Sequence, residues 1–114
     1  MTKLRALKAL TAESNTRLIV ALIPALQSVE MKQLKRSLTY SEFELTDFDV
    51  DKPYRALAQF GEEENIEVIN PTAAFREATA SGEKLYLQWD MHFNARGHAL
   101  FSSEIAAYLA ESAN

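Results

Sequence analysis

The chain has 114 residues, of which 47% are apolar and 25% are charged, and its net charge is −4. This length and balance are typical of a single soluble globular domain, which we predict over residues 1–114. The absence of cysteine excludes disulfides and thiolate chemistry but does not fix the cellular compartment. The negative charge argues against a nucleic-acid partner, and no apolar run is long enough to span a bilayer.

The first two predicted elements are a helix and a strand. Leu4, Leu7 and Leu10 recur at helical spacing among basic residues, which predicts an amphipathic helix with a solvated charged face and no secretory signal. Residues 18–23 are then apolar without interruption. A strand of this kind normally lies inside a parallel sheet with both faces buried. Pro24 ends it.

Residues 25–52 have the weakest pattern in the chain. Apolar residues at helical spacing between Met31 and Leu38 predict a short helix. The outer side of that helix carries three basic residues, Lys32, Lys35 and Arg36. They fit a phosphate site or a solvated face, and the lack of a glycine-rich loop or interleaved aromatics favours the solvated face. Residues 43–50 alternate apolar and acidic side chains, which predicts an extended arm that offers a surface to a partner.

The middle of the chain completes an alternating helix and strand pattern. Asp51 as cap and Pro53 in the first turn predict the start of a helix, and Gly61 predicts its end. Residues 66–69 predict a second strand, parallel to the first and joined to it by a right-handed crossover. A short helix and a short extended piece at residues 85–87 follow. This order predicts an α/β fold with two or three parallel strands.

A final helix closes the chain. Its predicted inward stripe consists of Phe101, Ile105, Tyr108 and Leu109. His98 lies three residues before Phe101 on the same stripe, so we expect it to be a core histidine. Ser102 and Ser103 lie within the helix, whereas a nucleophile normally occupies an exposed turn beside oxyanion donors. Neither serine is therefore a candidate nucleophile.

Residues 89–98 contain both histidines of the chain and the main candidate site. In extended backbone, Asp90 and His92 point to the same side, so the carboxylate can lie next to an imidazole nitrogen. Such a pair fixes the tautomer of the ring, which a general base in acyl transfer requires. Two other interpretations remain: Asp90 or Asn94 as a turn or capping residue, and a metal site formed by Asp90, His92 and His98.

The pattern Asp-x-His-Phe-Asn-x-x-Gly-His, followed by an Ala- and Leu-rich helix, resembles the last conserved block of SGNH (GDSL-type) esterases. The resemblance implies that His92 is the base of a Ser-His-Asp triad and Asp90 its orienting acid. It also implies that Asn94 opens the final helix and that Gly97 lets this helix pack closely. The implied fold is part of a three-layer α/β/α sandwich, flavodoxin-like and SGNH-hydrolase-like, with a short parallel sheet.

The chain departs from that family in one respect. Gly61, Gly82 and Gly97 are its only glycines, and none belongs to the Gly-Asp-Ser nucleophile block or the Gly-x-Asn-Asp oxyanion block. The chain therefore looks like the carboxy-terminal half of such a hydrolase, and we expect it to be inactive by itself. The resemblance implies a small ester substrate and no metal or organic cofactor.

Two functions of different classes follow. The first is half of a serine ester hydrolase, which a complementary amino-terminal half would complete. The second is a non-catalytic protein-interaction or oligomerisation domain derived from the same fold. Residues 18–23 would leave an apolar strand edge unpaired, so we expect a homo-oligomer, most simply a two-fold dimer.

Overall fold

A computed structural model describes residues 1–113 and shows two short strands among six helices. In chain order the elements are α1 (Thr2–Glu13), β1 (Ile19–Ala21), α2 (Leu26–Val29), α3 (Met31–Ser37), a 3₁₀ turn (Leu45–Asp47), α4 (Lys52–Glu64), β2 (Glu67–Ile69), α5 (Thr72–Ala80) and α6 (Ala95–Ser112). None of the helices in this described part is both long and apolar enough to cross a membrane.

The two strands form a short parallel sheet. Ile19 lies opposite Glu67 and Ala21 opposite Ile69, and the N–H of Leu22 donates to the Ile69 carbonyl at 2.9 Å. Parallel neighbours need a crossover, which here runs through α2, α3 and α4. The predicted α/β class with a short parallel sheet is therefore confirmed.

The first strand is shorter and less buried than predicted. The strand predicted over residues 18–23 contains only three residues, all half-buried, and Ile23 just beyond it is 68% exposed. Within residues 1–113, β1 pairs with β2 alone, so its other edge is unpaired. Residues 85–87 form the predicted short extended piece outside the sheet, where Tyr86 makes an isolated antiparallel bridge with Phe93.

The core is a cluster of aromatic and aliphatic side chains beneath the predicted catalytic loop. Phe75 of α5 and Leu85 are fully buried. The rings of Phe75 and Phe93 lie 5.0 Å apart, and those of Tyr86 and Phe93 lie 5.5 Å apart, distances at which aromatic pairs attract. The hydroxyl of Tyr86 donates to the Pro24 carbonyl at 2.8 Å, and burial raises the pKa of this phenol. The core thus ties the end of β1 to the base of the loop.

Helix α4 differs from its prediction at both ends. Asp51 stands at the capping position, but its carboxylate accepts from the Arg76 guanidinium at 2.8 Å instead of capping the helix. Gly61 does not end the helix, which continues to Glu64. Asn65 then caps it with a left-handed backbone conformation. A Cβ at Gly61 would lie 2.7 Å from a methyl of Val68. Gly61 therefore permits close packing of α4 against β2 rather than a chain reversal.

Charged contacts anchor helix α1, although we predicted that its charges would be solvated. Arg5 donates to the Glu64 carboxylate at 2.6 Å and lies 5.1 Å from the ring centre of Phe60. The ammonium of Lys8 contacts the Glu64 carbonyl. By contrast, Leu10 on the predicted apolar side is 62% exposed. In this chain, polar contacts with the end of α4 hold α1, and its apolar stripe is only partly covered.

Glu67 connects β2 to two other parts of the fold. Arg17, just before β1, donates to both carboxylate oxygens of Glu67, at 2.5 and 2.7 Å. The hydroxyl of Tyr108 in α6 donates to one of them at 2.8 Å. The Arg17 hydrogen bonds, followed by that of Tyr108, lower the pKa of Glu67 from 4.5 to about 2. The network requires an ionised Glu67.

We predict that this network makes stability depend on acid pH. Because the folded-state pKa of Glu67 is lowered, its contribution is present above the unfolded value of 4.5 and is lost as the pH falls toward about 2. Glu67→Gln should lower the free energy of unfolding by up to about 1 kcal/mol at neutral pH, since the pair is partly exposed. Urea unfolding from neutral to acid pH measures this, and an unchanged acid slope in Glu67→Gln would contradict it.

Candidate functional site

The candidate site is the loop of residues 87–92, which the core holds at its base. The N–H of Leu87 donates to the His92 carbonyl at 2.9 Å, and the Tyr86–Phe93 bridge lies immediately behind it. Since both bridging side chains belong to the aromatic cluster, the two ends of the loop are fixed. Between them, Trp89 has a positive φ of 65°. The loop projects from the core as a short, closed turn.

Asp90 and His92 lie on the same side of this loop, as the sequence predicted. The Nδ1 atom of His92 is 2.5 Å from Oδ1 of Asp90, and the backbone N–H of His92 donates to the same oxygen at 2.9 Å. The backbone hydrogen bond, then that of the imidazole, lowers the pKa of Asp90 below its ordinary value. The carboxylate therefore serves both as a turn residue and as a partner of the ring.

This contact determines which imidazole nitrogen is available for chemistry. With Asp90 ionised, Nδ1 carries a proton toward the carboxylate, which leaves Nε2 of the neutral ring as the proton acceptor. The His92 side chain is 85% exposed, so Nε2 is accessible from outside the domain. The pair thus has the arrangement of a general base with its orienting acid.

Asn94 and Gly97 have the structural positions that the resemblance implied. The side-chain oxygen of Asn94 accepts from the N–H of Gly97 at 2.9 Å and so caps α6. Its amide donates to the carbonyls of Lys84 at 2.9 Å and Tyr86 at 3.4 Å. A Cβ at Gly97 would lie 2.1 Å from the Leu85 carbonyl oxygen, so only glycine allows this approach. Together they fix the far side of the loop.

His98 is not the core histidine that we predicted. It is exposed and meets the ring of Phe93 edge-on, 5.5 Å between centroids. The reason is that α6 is buried only at Gly97, and the expected inward stripe is half-buried, with Leu109 exposed. Across residues 1–113, no three His, Asp or Glu side chains are grouped so as to hold a metal, so the structure does not form the alternative Asp90–His92–His98 metal site.

The loop lies next to the segment that follows the carboxyl end of β1. Besides the contact between Tyr86 and Pro24, the side-chain amide of Gln27 lies 3.1 Å from the sulfur of Met91. In open parallel sheets, functional loops lie beyond the carboxyl ends of the strands. The predicted placement of the Asp90–His92 loop is therefore confirmed at β1.

Two contacts around the loop had not been predicted. Arg36 of α3 places its guanidinium carbon 5.8 Å from the ring centre of Trp89, and Gln27 of α2 contacts Met91. We had interpreted Arg36 as part of a solvated basic face. A basic residue on one segment and the only tryptophan on another were the available signal, but only the folded chain shows that they meet.

The α/β fold and an Asp-x-His loop beyond a parallel strand define an SGNH hydrolase-like domain. The chain belongs to that family, since the family model described as "SGNH hydrolase-like domain, acetyltransferase AlgX" matches residues 1–114. The resemblance seen in the terminal block is thereby confirmed. No curated protein and no solved structure gave a match.

We predict that Asp90 controls the tautomer of His92. Asp90→Asn should change the ¹⁵N shifts of the His92 ring at neutral pH, because the ionised acceptor at Nδ1 is lost, while His98 serves as an internal control. In the wild type the pairing should persist below about pH 4, where a free aspartate is protonated, since the pKa of Asp90 is lowered. Identical His92 spectra in both proteins would show that the contact does not persist in solution.

Proposed function

We propose that this domain supplies the general base and its orienting acid for acyl transfer through a serine ester. The observation that carries the proposal is the 2.5 Å contact between Nδ1 of His92 and Asp90, with Nε2 left exposed. The description of its family as hydrolase-like and acetyltransferase supports the same chemistry. Asp90 and His92 have these roles in the proposal, which includes no metal or organic cofactor.

The proposed reaction has two steps. In the first, Nε2 of His92 accepts the proton of a serine hydroxyl while the serine oxygen attacks the acyl carbonyl. His92 then returns this proton to the departing alcohol, leaving the acyl group on the serine. In the second step, His92 activates either water or a substrate hydroxyl, which takes the acyl group and frees the serine. Water gives ester hydrolysis, whereas a hydroxyl acceptor gives acyl transfer.

The serine must come from a segment outside these 114 residues. The sequence contains no Gly-Asp-Ser block, and within residues 1–113 no serine hydroxyl forms a hydrogen bond with the His92 ring. The hydroxyl of Ser102 in α6 donates to the His98 carbonyl in its own helix. The proposed partner of the pair is therefore a polypeptide segment that brings both a serine and oxyanion donors.

We predict that the chain alone has almost no esterase activity. Without the serine and its oxyanion donors, only a small residual catalysis should remain. The purified chain should therefore hydrolyse p-nitrophenyl acetate no faster than its His92→Ala variant. A clear excess of the unmodified chain over that variant would reveal a nucleophile among the 114 residues.

His92→Ala and Asp90→Asn test the proposed function when a Gly-Asp-Ser segment is present, either in the same polypeptide or in a complex with the chain. His92→Ala should then lower kcat/KM for acetyl release by about 10³-fold or more, and Asp90→Asn should lower it strongly as well. His98→Ala is the matched control and should keep the unmodified activity. Equal activity of all three variants would overturn the proposal.

A second candidate function is association through the open edge of β1. The Cα radius of gyration is 16.3 Å, whereas a compact domain of this length has about 13 Å. The accessible surface is 8154 Å², whereas a compact monomer of this mass exposes about 6,300 Å². The excess is more than the roughly 800 Å² that each partner contributes to a standard interface. This shape favours a second copy or a complementary segment on the open side.

We predict that the isolated chain forms a two-fold dimer at micromolar concentration, because an unblocked apolar edge favours pairing. Ile23 is exposed at the end of β1, so Ile23→Lys should shift the equilibrium toward monomer. Leu10→Lys introduces the same charge at a similarly exposed leucine of α1 and should leave the dimer intact. Sedimentation velocity distinguishes these outcomes, and a monomer for the unmodified chain would exclude the dimer.

A further inference from the structure

Trp89, the residue before Asp90, has a backbone conformation that a bulky side chain disfavours. The N–H of Asp90 approaches the Leu87 carbonyl at 3.4 Å, which makes residues 87–90 a turn. Trp89 is its third residue and has a φ of 65°, as the third residue does in a type II turn. That position normally takes glycine or asparagine, because a Cβ is unfavourable there. A tryptophan at this position requires contacts that offset the strain.

Burial does not provide those contacts, because Trp89 is 84% exposed. The indole contacts Arg36, whose guanidinium carbon lies 5.8 Å from the ring centre. Cations within about 6 Å of a tryptophan ring are attracted to its face. Arg36 is held in α3, so the contact connects the strained turn to a helix.

A second contact holds the residue that follows Asp90. The side-chain amide of Gln27 in α2 lies 3.1 Å from the Met91 sulfur, a weak acceptor. Both contacts come from the helices that follow β1, one on each side of Asp90. Asp90 is the last residue of this turn, and its carboxylate contacts both the backbone N–H and the ring of His92.

We propose that Arg36 and Gln27 are positioning residues, which hold Trp89 and Met91 so that Asp90 stays paired with His92. This inference deepens the proposed function, since it assigns residues of α2 and α3 to the same site. Arg36 acts through the indole and has the larger role, because a thioether is a weak acceptor.

The single tryptophan of the chain allows a direct test. In Arg36→Ala, time-resolved fluorescence anisotropy should show a larger amplitude of fast indole motion than in the wild type. The ¹⁵N shifts of the His92 ring should also move toward those of Asp90→Asn. Arg36→Lys keeps a cation near the ring and should restore both signals in part. Lys35→Ala removes a charge from the same helix and should leave both signals as in the wild type.

Trp89→Gly separates positioning from stability. Glycine relieves the left-handed backbone, so Tm should not fall, yet the His92 shifts should still move toward those of Asp90→Asn. His92 shifts that stay at the wild-type position in both Trp89→Gly and Arg36→Ala would overturn the inference. Neither readout involves turnover, so a failure of the proposed function would appear only in the activity of His92→Ala, with these signals unaffected.

Discussion

The antiparallel bridge between Tyr86 and Phe93 is the constraint on which the candidate site depends. The two rings pack against each other and against Phe75 in the core, while their backbones close the loop that carries Asp90 and His92. The same tyrosine donates to the carbonyl of Pro24, in the segment that follows β1. One pair of residues therefore fixes the loop to the core and to the segment that follows β1, which an exposed turn could not achieve by itself.

Local rules explain the part of the site that the sequence predicted. The contact between Asp90 and His92 follows from the two-residue repeat of extended backbone, and the Asn94 cap follows from the preference of short polar side chains at helix starts. Each involves residues within a few positions of each other. The parallel pairing of residues near 20 and 68 was predictable from two apolar runs separated by helices.

The wrong predictions all depended on what lies opposite a residue in space. Helical periodicity placed His98 inward, but Gly97 is the only fully buried residue of α6, and the side of the helix that packs on the core does so through Leu100 and Phe101. Gly61 was expected to end a helix, whereas it is the point where α4 approaches Val68. The positive φ of Trp89 and its contact with Arg36 were not predicted either, because the local sequence pattern indicates neither of them.

Under the proposed function, the exposure of Asp90 and His92 and the open edge of β1 are both explained by a missing segment. The His92 side chain is 85% exposed and that of Asp90 is 48% exposed, so water screens their attraction. A catalytic base works best in a preorganised site from which water is excluded. The loop lies next to the segment that follows β1, the strand whose outer edge is unpaired within residues 1–113. A single segment docked on that side could bury the edge, shield the pair and bring a serine to Nε2 of His92.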